Sequence, residues 1–152
     1  MRPGIWPVLS LLVVLGILLA GCSGTPKNPE VSVKGVTLTS FSLSSISLDV
    51  MLLVNNPNSF GITLTSLAFD VYYQDGADWV YLAHGEKTGL SITPGENEVT
   101  VPVTVSSPEL LRSLVGLITS GKLTIRIQGT ASPDFMGISP EVPFSYTTTI
   151  SR

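Results

Sequence analysis

An antiparallel β-sandwich of about seven strands, immunoglobulin- or fibronectin-III-like, with a single α-helix near residues 108–119 capping one end, is the fold class this sequence predicts. Three observations predict it. Apolar residues recur with a period of two through most of the chain, and Gly, Pro, Asn and Asp punctuate the runs at the spacing of short strands. One segment alone switches to helical spacing, so an all-β chain is expected and not a βαβ alternation.

The first run, 31–43, contains Gly35, where a kink is expected. In the second, Ile46, Leu48, Val50, Leu52 and Val54 make one apolar face, while Ser47, Asp49, Met51 and Leu53 turn the other from polar to mixed. Apolar parity then shifts, from Ile62 and Leu64 to Leu67, Phe69, Val71 and Tyr73; one extra residue near Thr65 and Ser66, a β-bulge, accounts for it. Gln74-Asp75-Gly76-Ala77-Asp78 supplies turn chemistry before Trp79, Val80, Tyr81 and Leu82 resume strand composition, which makes a hairpin. Val99, Val101, Val103 and Val105 alternate with Thr100, Pro102, Thr104 and Ser106, and Pro102, lacking an N–H, places that strand at an edge or carries a bulge.

Ser107-Pro108-Glu109 combines a capping hydroxyl, an N1 proline and an acid on the first turn. Leu110, Leu111, Leu114, Val115, Leu117 and Ile118 follow at helical spacing, and Gly121 with Lys122 ends the helix. Its polar side has Arg112, Ser113 and Thr119; a membrane-surface helix carries several cations, so packing on the sandwich is expected instead. Leu123, Ile125 and Ile127, then Val142, Phe144, Tyr146 and Thr148, complete the strands.

The N-terminal stretch is of a different kind. One cation, Arg2, precedes an apolar run over 8–19 that ends in Leu19-Ala20-Gly21-Cys22, with Cys22 the only cysteine of the chain. This resembles the bacterial lipoprotein signal, in which small residues admit a signal peptidase and the cysteine thiol takes a diacylglyceryl group. A transmembrane helix needs roughly 20 apolar residues; here Pro3, Pro7 and Gly21 shorten the run and no basic cluster flanks it. The expected division is a removed signal at 1–21, a lipidated Cys22 with a short tether at 22–30, and one domain at 31–150. Ser23 after the cysteine resembles outer-membrane sorting in a Gram-negative envelope; in a single-membrane cell the domain is expected on the outer face of the cell membrane.

Loss of Arg2 leaves seven of eight basic residues against eleven acidic ones, a mature charge of about −4, which disfavours nucleic acid as a partner. Cys22 is committed to lipid, so no disulfide or thiolate chemistry is expected. His84 is the only histidine, which excludes histidine-rich zinc sites, and no Gly-x-Ser-x-Gly elbow accompanies it. Asp75 and Asp78 offer too few oxygens for calcium and read as turn residues. No phosphate loop, dinucleotide fingerprint or small-molecule substrate motif stands out, so no cofactor, metal or catalytic residue is expected. Tyr72, Tyr73, Trp79 and Tyr81 flank the hairpin turn; cross-strand aromatic packing explains them, with an exposed platform for a partner as the alternative.

The stretch Leu53-Val54-Asn55-Asn56-Pro57-Asn58-Ser59-Phe60-Gly61-Ile62 resembles the signature of the type-2 late embryogenesis abundant proteins, the WHy (water stress and hypersensitive response) domain. Order and spacing agree beyond the motif: an Ile-x-Leu strand with Phe69 and Tyr72-Tyr73 follows, then the valine-rich strand with Pro102, the lone helix and Ile127-Gln128-Gly129. Physically, Pro57 ends a ladder while Asn56 and Asn58 bond nearby backbone, and Gly61 is expected to hold a conformation that a Cβ forbids. The resemblance implies a small sandwich with one helix, no catalytic residues, and a stress-protective role at a membrane surface. The expected function is a non-enzymatic lipoprotein that protects envelope proteins or lipid headgroups during desiccation. The alternative is an envelope assembly or adhesion module that binds one protein through a sheet edge or the aromatic hairpin.

Overall fold

The chain alternates between two sheets because its strands carry one apolar face each. The computed structural model describes residues 24–42 and 44–151, the side chains of residues 117, 118 and 151 apart. Its elements are β1 (Glu30–Phe41), β2 (Ile46–Asn56), β3 (Ile62–Asp75), β4 (Asp78–Ile92), β5 (Gly95–Val105), α1 (Pro108–Thr119), β6 (Lys122–Asp134) and β7 (Val142–Ser151). One sheet has the order β1-β2-β5, the other β4-β3-β6-β7, and all pairings are antiparallel. The sheets face each other with β4 over β5 and β1 over β7. Among the described residues, no helix is long and apolar enough to cross a membrane.

The interior follows from the alternation. On β2 every second residue from Ile46 to Asn56 is buried, and Val50, Leu52 and Val54 meet Leu64, Leu67, Val71, Ile125 and Ile127 in one core. Thr65 is the extra residue of β3: Leu64 and Ser66 pair with consecutive residues Pro133 and Ser132 of β6, as the parity shift requires. The kink of β1 is a register shift between Val33 and Gly35. Lys34, looped out there, reaches across β2 to Glu98 of β5 at 2.6 Å, and that hydrogen bond and charge raise the lysine's pKa above its ordinary value. A further bulge leaves Leu82 unpaired in β4, so that Leu82 and Ala83 are both buried although adjacent.

The remaining punctuation behaves as its chemistry demands. Asp75 pairs with Asp78 around Gly76-Ala77, and positive φ at Gly76 but not at Ala77 makes this a two-residue hairpin of the type II′ kind. Pro102 lies on β5, an edge strand. The first bond of α1 runs from Leu111 N–H to the Ser107 carbonyl, Leu111 and Leu114 enter the core, and Gly121 at φ 88° turns the chain into β6. Gly61 departs from expectation. Its φ lies outside the left-handed region, and a Cβ there meets only the Ile92 carbonyl oxygen at an ordinary 3.5 Å, so glycine is not demanded by backbone conformation.

Two other glycines are demanded by packing. Phe69 in the centre of the four-stranded sheet pairs with Gly85 on one side and Gly129 on the other. Its ring occupies the space above Gly85, where a Cβ falls 2.5 Å from Phe69 Cζ. A Cβ at Gly129 runs into the Ala68 carbonyl oxygen and the Phe69 Cβ, atoms that cannot swing away. Gly129→Ala is therefore expected to lower unfolding free energy by about 1–3 kcal/mol. Gly116→Ala, on a helix position with open space around it, is expected to raise it by about 0.8–1 kcal/mol. Urea titration checks both, and equal stability of wild type and Gly129→Ala is the result that contradicts the packing argument.

Candidate functional site

The family-like motif closes one pole of the sandwich as a polar clasp. Asn56 continues the inward parity of β2 and is 1 % exposed, Asn58 9 %. The Asn56 carboxamide oxygen accepts from Asn58 N–H at 3.1 Å and from Asn58 Nδ2 at 2.9 Å, and its Nδ2 donates to the Phe60 carbonyl at 2.8 Å. Asn58 in turn donates from Nδ2 to the Lys27 carbonyl and accepts at Oδ1 from Lys27 N–H, each at 2.8 Å. The chain before β1 is thereby tied to the β2–β3 crossover. Asn55, the first residue of the motif, sits half-buried in the ladder between Glu30 and Glu96, and Pro57 is exposed.

A third asparagine, Asn97, which sequence reasoning passed over, holds the neighbouring β4–β5 turn. Asn97 Oδ1 accepts from Thr93 N–H at 3.0 Å and from its hydroxyl at 2.9 Å, while Nδ2 donates to the carbonyls of Thr93 and Gly95. Thr93-Pro94-Gly95 just before it was the available signal, a Pro-Gly turn sequence. Every buried side-chain polar atom among the described residues has a partner, so these asparagines are structural and none is aimed at an unfilled site.

Exposed large apolar side chains also gather at this pole. Phe60 lies in the β2–β3 crossover, and Met136 and Ile138 lie in the β6–β7 turn, fully or largely in solvent. The register that pairs Thr63 with Asp134 brings the two loops to the same end. Met136 has φ 56°, and the turn is held by Gly137 N–H on the Asp134 carboxylate at 2.8 Å and by the Phe135–Ile138 bridge.

The other expected contacts separate when placed. Tyr73 is 2 % exposed and belongs to the core. Tyr72 and Tyr81 pair across β3 and β4 edge to face at 5.9 Å on the opposite side of the sheet, with Tyr81 exposed. The Arg126 guanidinium already covers Trp79, 3.8 Å from its ring centroid. His84 donates from Nδ1 to Asp70 at 2.8 Å on the same solvent face, and no hydroxyl joins the pair among the described residues. No group of three or more His, Cys, Asp or Glu side chains converges there either. Leu19, Ala20, Gly21 and Cys22 lie outside the described residues.

Comparison with known proteins places this architecture. The chain is 31% identical over 134 residues to an uncharacterized protein of Methanocaldococcus jannaschii, covering 88% of this chain and 76% of that one. It is 30% identical over 127 residues to a second uncharacterized protein of the same organism, covering 84% of this chain but only 29% of that longer one. The solution structure of a protein assigned to the late embryogenesis abundant (LEA) class shares the fold at a TM-score of 0.61 and 16% identity, covering 97% of this chain and 87% of that one. With the sequence pattern of the late embryogenesis abundant protein family matched over residues 51–148, the chain belongs to that family.

Proposed function

We propose that this chain is a non-enzymatic LEA domain anchored to a membrane by acyl chains on Cys22, and that it shields membrane headgroups and neighbouring proteins when water is withdrawn. The observation that carries the reading is that the tethered pole exposes apolar loops. The pole to which the Lys27 clasp ties the N-terminal tether is also the one that exposes Phe60, Met136 and Ile138. Apolar side chains gathered at one end suit a lipid interface. Five residue steps separate Lys27 from Cys22, at most roughly 18 Å of extended chain, so an anchored domain has these loops at headgroup depth.

The acyl anchor accounts for retention, since each buried CH₂ contributes about 0.8 kcal/mol and two chains exceed the marginal binding of one. Protection is attributed to the rest of the surface. The core is held by strand packing and contains no cysteine, and strand faces turned to solvent present Ser, Thr and carboxylates that replace lost water as hydrogen-bond partners. A specific protein partner at the aromatic hairpin is the competing outcome, and Arg126 seated on Trp79 speaks against a free aromatic platform.

Cys22→Ala is expected to move the protein from the membrane to the soluble fraction and to reduce survival of drying; continued partition with the membrane would sink the anchor. In the Cys22→Ala background, residual association with anionic vesicles is expected to fall further when Phe60, Met136 and Ile138 are all changed to Ser, as flotation would measure. Purified protein should limit liposome leakage through a drying cycle better than an inert protein of equal mass, and equal leakage would remove the protective role. Asn58→Ala is expected to cost about 1–3 kcal/mol and to open the tether near Lys27 to protease. An unchanged cleavage pattern would mean that the clasp does not hold the tether.

A further inference from the structure

At the opposite pole the helix covers the sandwich without filling it. A cavity of about 520 Å³ lies between the sheets beneath α1, lined by Ile46 and Leu48 of β2, Leu82 of the β4 bulge, Leu114 of α1 and Leu123 of β6. That volume is within the range of small-molecule pockets, roughly 300–1,000 Å³. Leu38 and Phe41 at the end of β1 also line it, and they are 44% and 49% exposed, which marks its mouth. Among the described residues, two lining side chains are polar. The Thr119 hydroxyl is turned back onto the Val115 and Gly116 carbonyls at 2.8 and 2.9 Å. Lys122 is exposed, and no carboxylate among the described residues pairs with it.

We propose that this cavity binds one hydrocarbon chain with an anionic head, of the free long-chain fatty-acid class, the chain lying beneath α1 and the carboxylate at Lys122. The lining argues for hydrocarbon over peptide. A peptide segment brings N–H and C=O groups, and among the described side chains of this wall only Lys122, at the mouth, is left to meet them, whereas an alkyl chain brings none. Lys122, the cation that lines the mouth among the described residues, selects the sign of the head. The proposed occupant is a free fatty acid and not the chain's own anchor. The cavity lies at the Ile46 end of β2 and the clasp at the Asn56 end, ten residue steps away, about 34 Å. Extended tether from Lys27 to Cys22 covers roughly half of that, and the Cys22→Ala arm of the test separates free from covalent lipid. The site goes beyond the membrane-protective reading.

The test is calorimetric titration of the full chain, stripped of lipid, with oleate and with methyl oleate, in wild type and in the Cys22→Ala variant. One oleate per chain is expected in both, with the uncharged ester about fivefold weaker. Lys122→Met should bring oleate down to the affinity of the ester and leave the ester within about twofold. Val115→Trp, a half-buried lining residue enlarged into the cavity, should abolish both while circular dichroism shows the strands intact. Absence of stoichiometric oleate binding overturns the proposal, and so does a folded Val115→Trp that binds as wild type does. Equal affinity for acid and ester overturns the assignment of the head. A dimer that Val115→Trp disperses, or binding of phosphatidylglycerol vesicles, in protein that takes up no oleate would assign the cavity to a second copy or to membrane lipid and overturn it too.

Discussion

The register of β2 is the constraint on which the rest of the molecule depends. It is the middle strand of the three-stranded sheet, paired on both sides, and its inward residues supply Val50, Leu52 and Val54 at the centre of the core. With Cys22 the only cysteine, no internal disulfide assists it. A slip of one residue would drive Ser47 and Asp49 inward and expose five aliphatic side chains, so the pairing is specified strongly. The same parity has a consequence at the strand's end. Asn56 is the sixth inward position, and its burial leaves a carboxamide that must be satisfied from within. The loop therefore folds back so that Phe60 and Asn58 meet it, and Asn58 is left facing the Lys27 backbone. The clasp is what the register of β2 requires once an asparagine occupies that position.

That dependence explains what could be read before the fold was seen. Period-two alternation is a local signal, so the seven strands, the bulge at Thr65 and the turn at Gly76 were legible in the sequence, and Pro102 narrowed its strand to an edge or a bulge. Bulges that keep an apolar residue on both sides of the slip leave no such mark. Leu82 and Ala83 look like an ordinary stretch of strand, yet the unpaired residue is what turns Leu82 into the interior. Gly61 misled for a related reason, since glycine beside a turn motif reads as a left-handed position when its surroundings are merely roomy. Asn56 bonds nearby backbone as expected, whereas the partner of Asn58 was hidden: it bonds a residue 31 positions away, and no short-range pattern encodes that. The four hairpin aromatics looked like one group because they are close in sequence; strand parity sends Tyr73 to one face and Tyr72 and Tyr81 to the other.

The exposed apolar side chains can now be read as belonging to places instead of as isolated exceptions. Phe60, Met136 and Ile138 stand at the clasped pole, Leu38 and Phe41 at the mouth of the cavity, and Tyr81 on the hairpin beside Tyr72. Scattered surface hydrophobics need no explanation, but a division between the two ends of one molecule does. The ends differ in polar chemistry as well. One is stapled by three asparagines whose bonds are all internal; the other has a single lysine beside a hydrocarbon wall. With the anchor proposed above, the internally satisfied end faces the membrane and the end with the cavity faces away from it.

The unfilled end is not simply imperfect packing. Cavities cost stability roughly in proportion to their volume, and the means to fill this one were close at hand in α1. Leu111 and Leu114 are buried, and among the described side chains of the helix Leu114 lines the space together with Val115 and Thr119, two side chains too short to cross it. Thr119 then spends its hydroxyl on its own helix, which keeps the wall apolar without adding bulk. The chain leaves by Gly121 straight into Lys122 and Leu123, so the cation arrives at the mouth and the leucine in the wall through the plain alternation of β6. A volume bordered by short side chains of α1 and by the Leu82 that the bulge turns inward, with a cation unpaired among the described residues at its entrance, has the anatomy of a binding site, and the stability it forgoes is carried by the core that β2 organises.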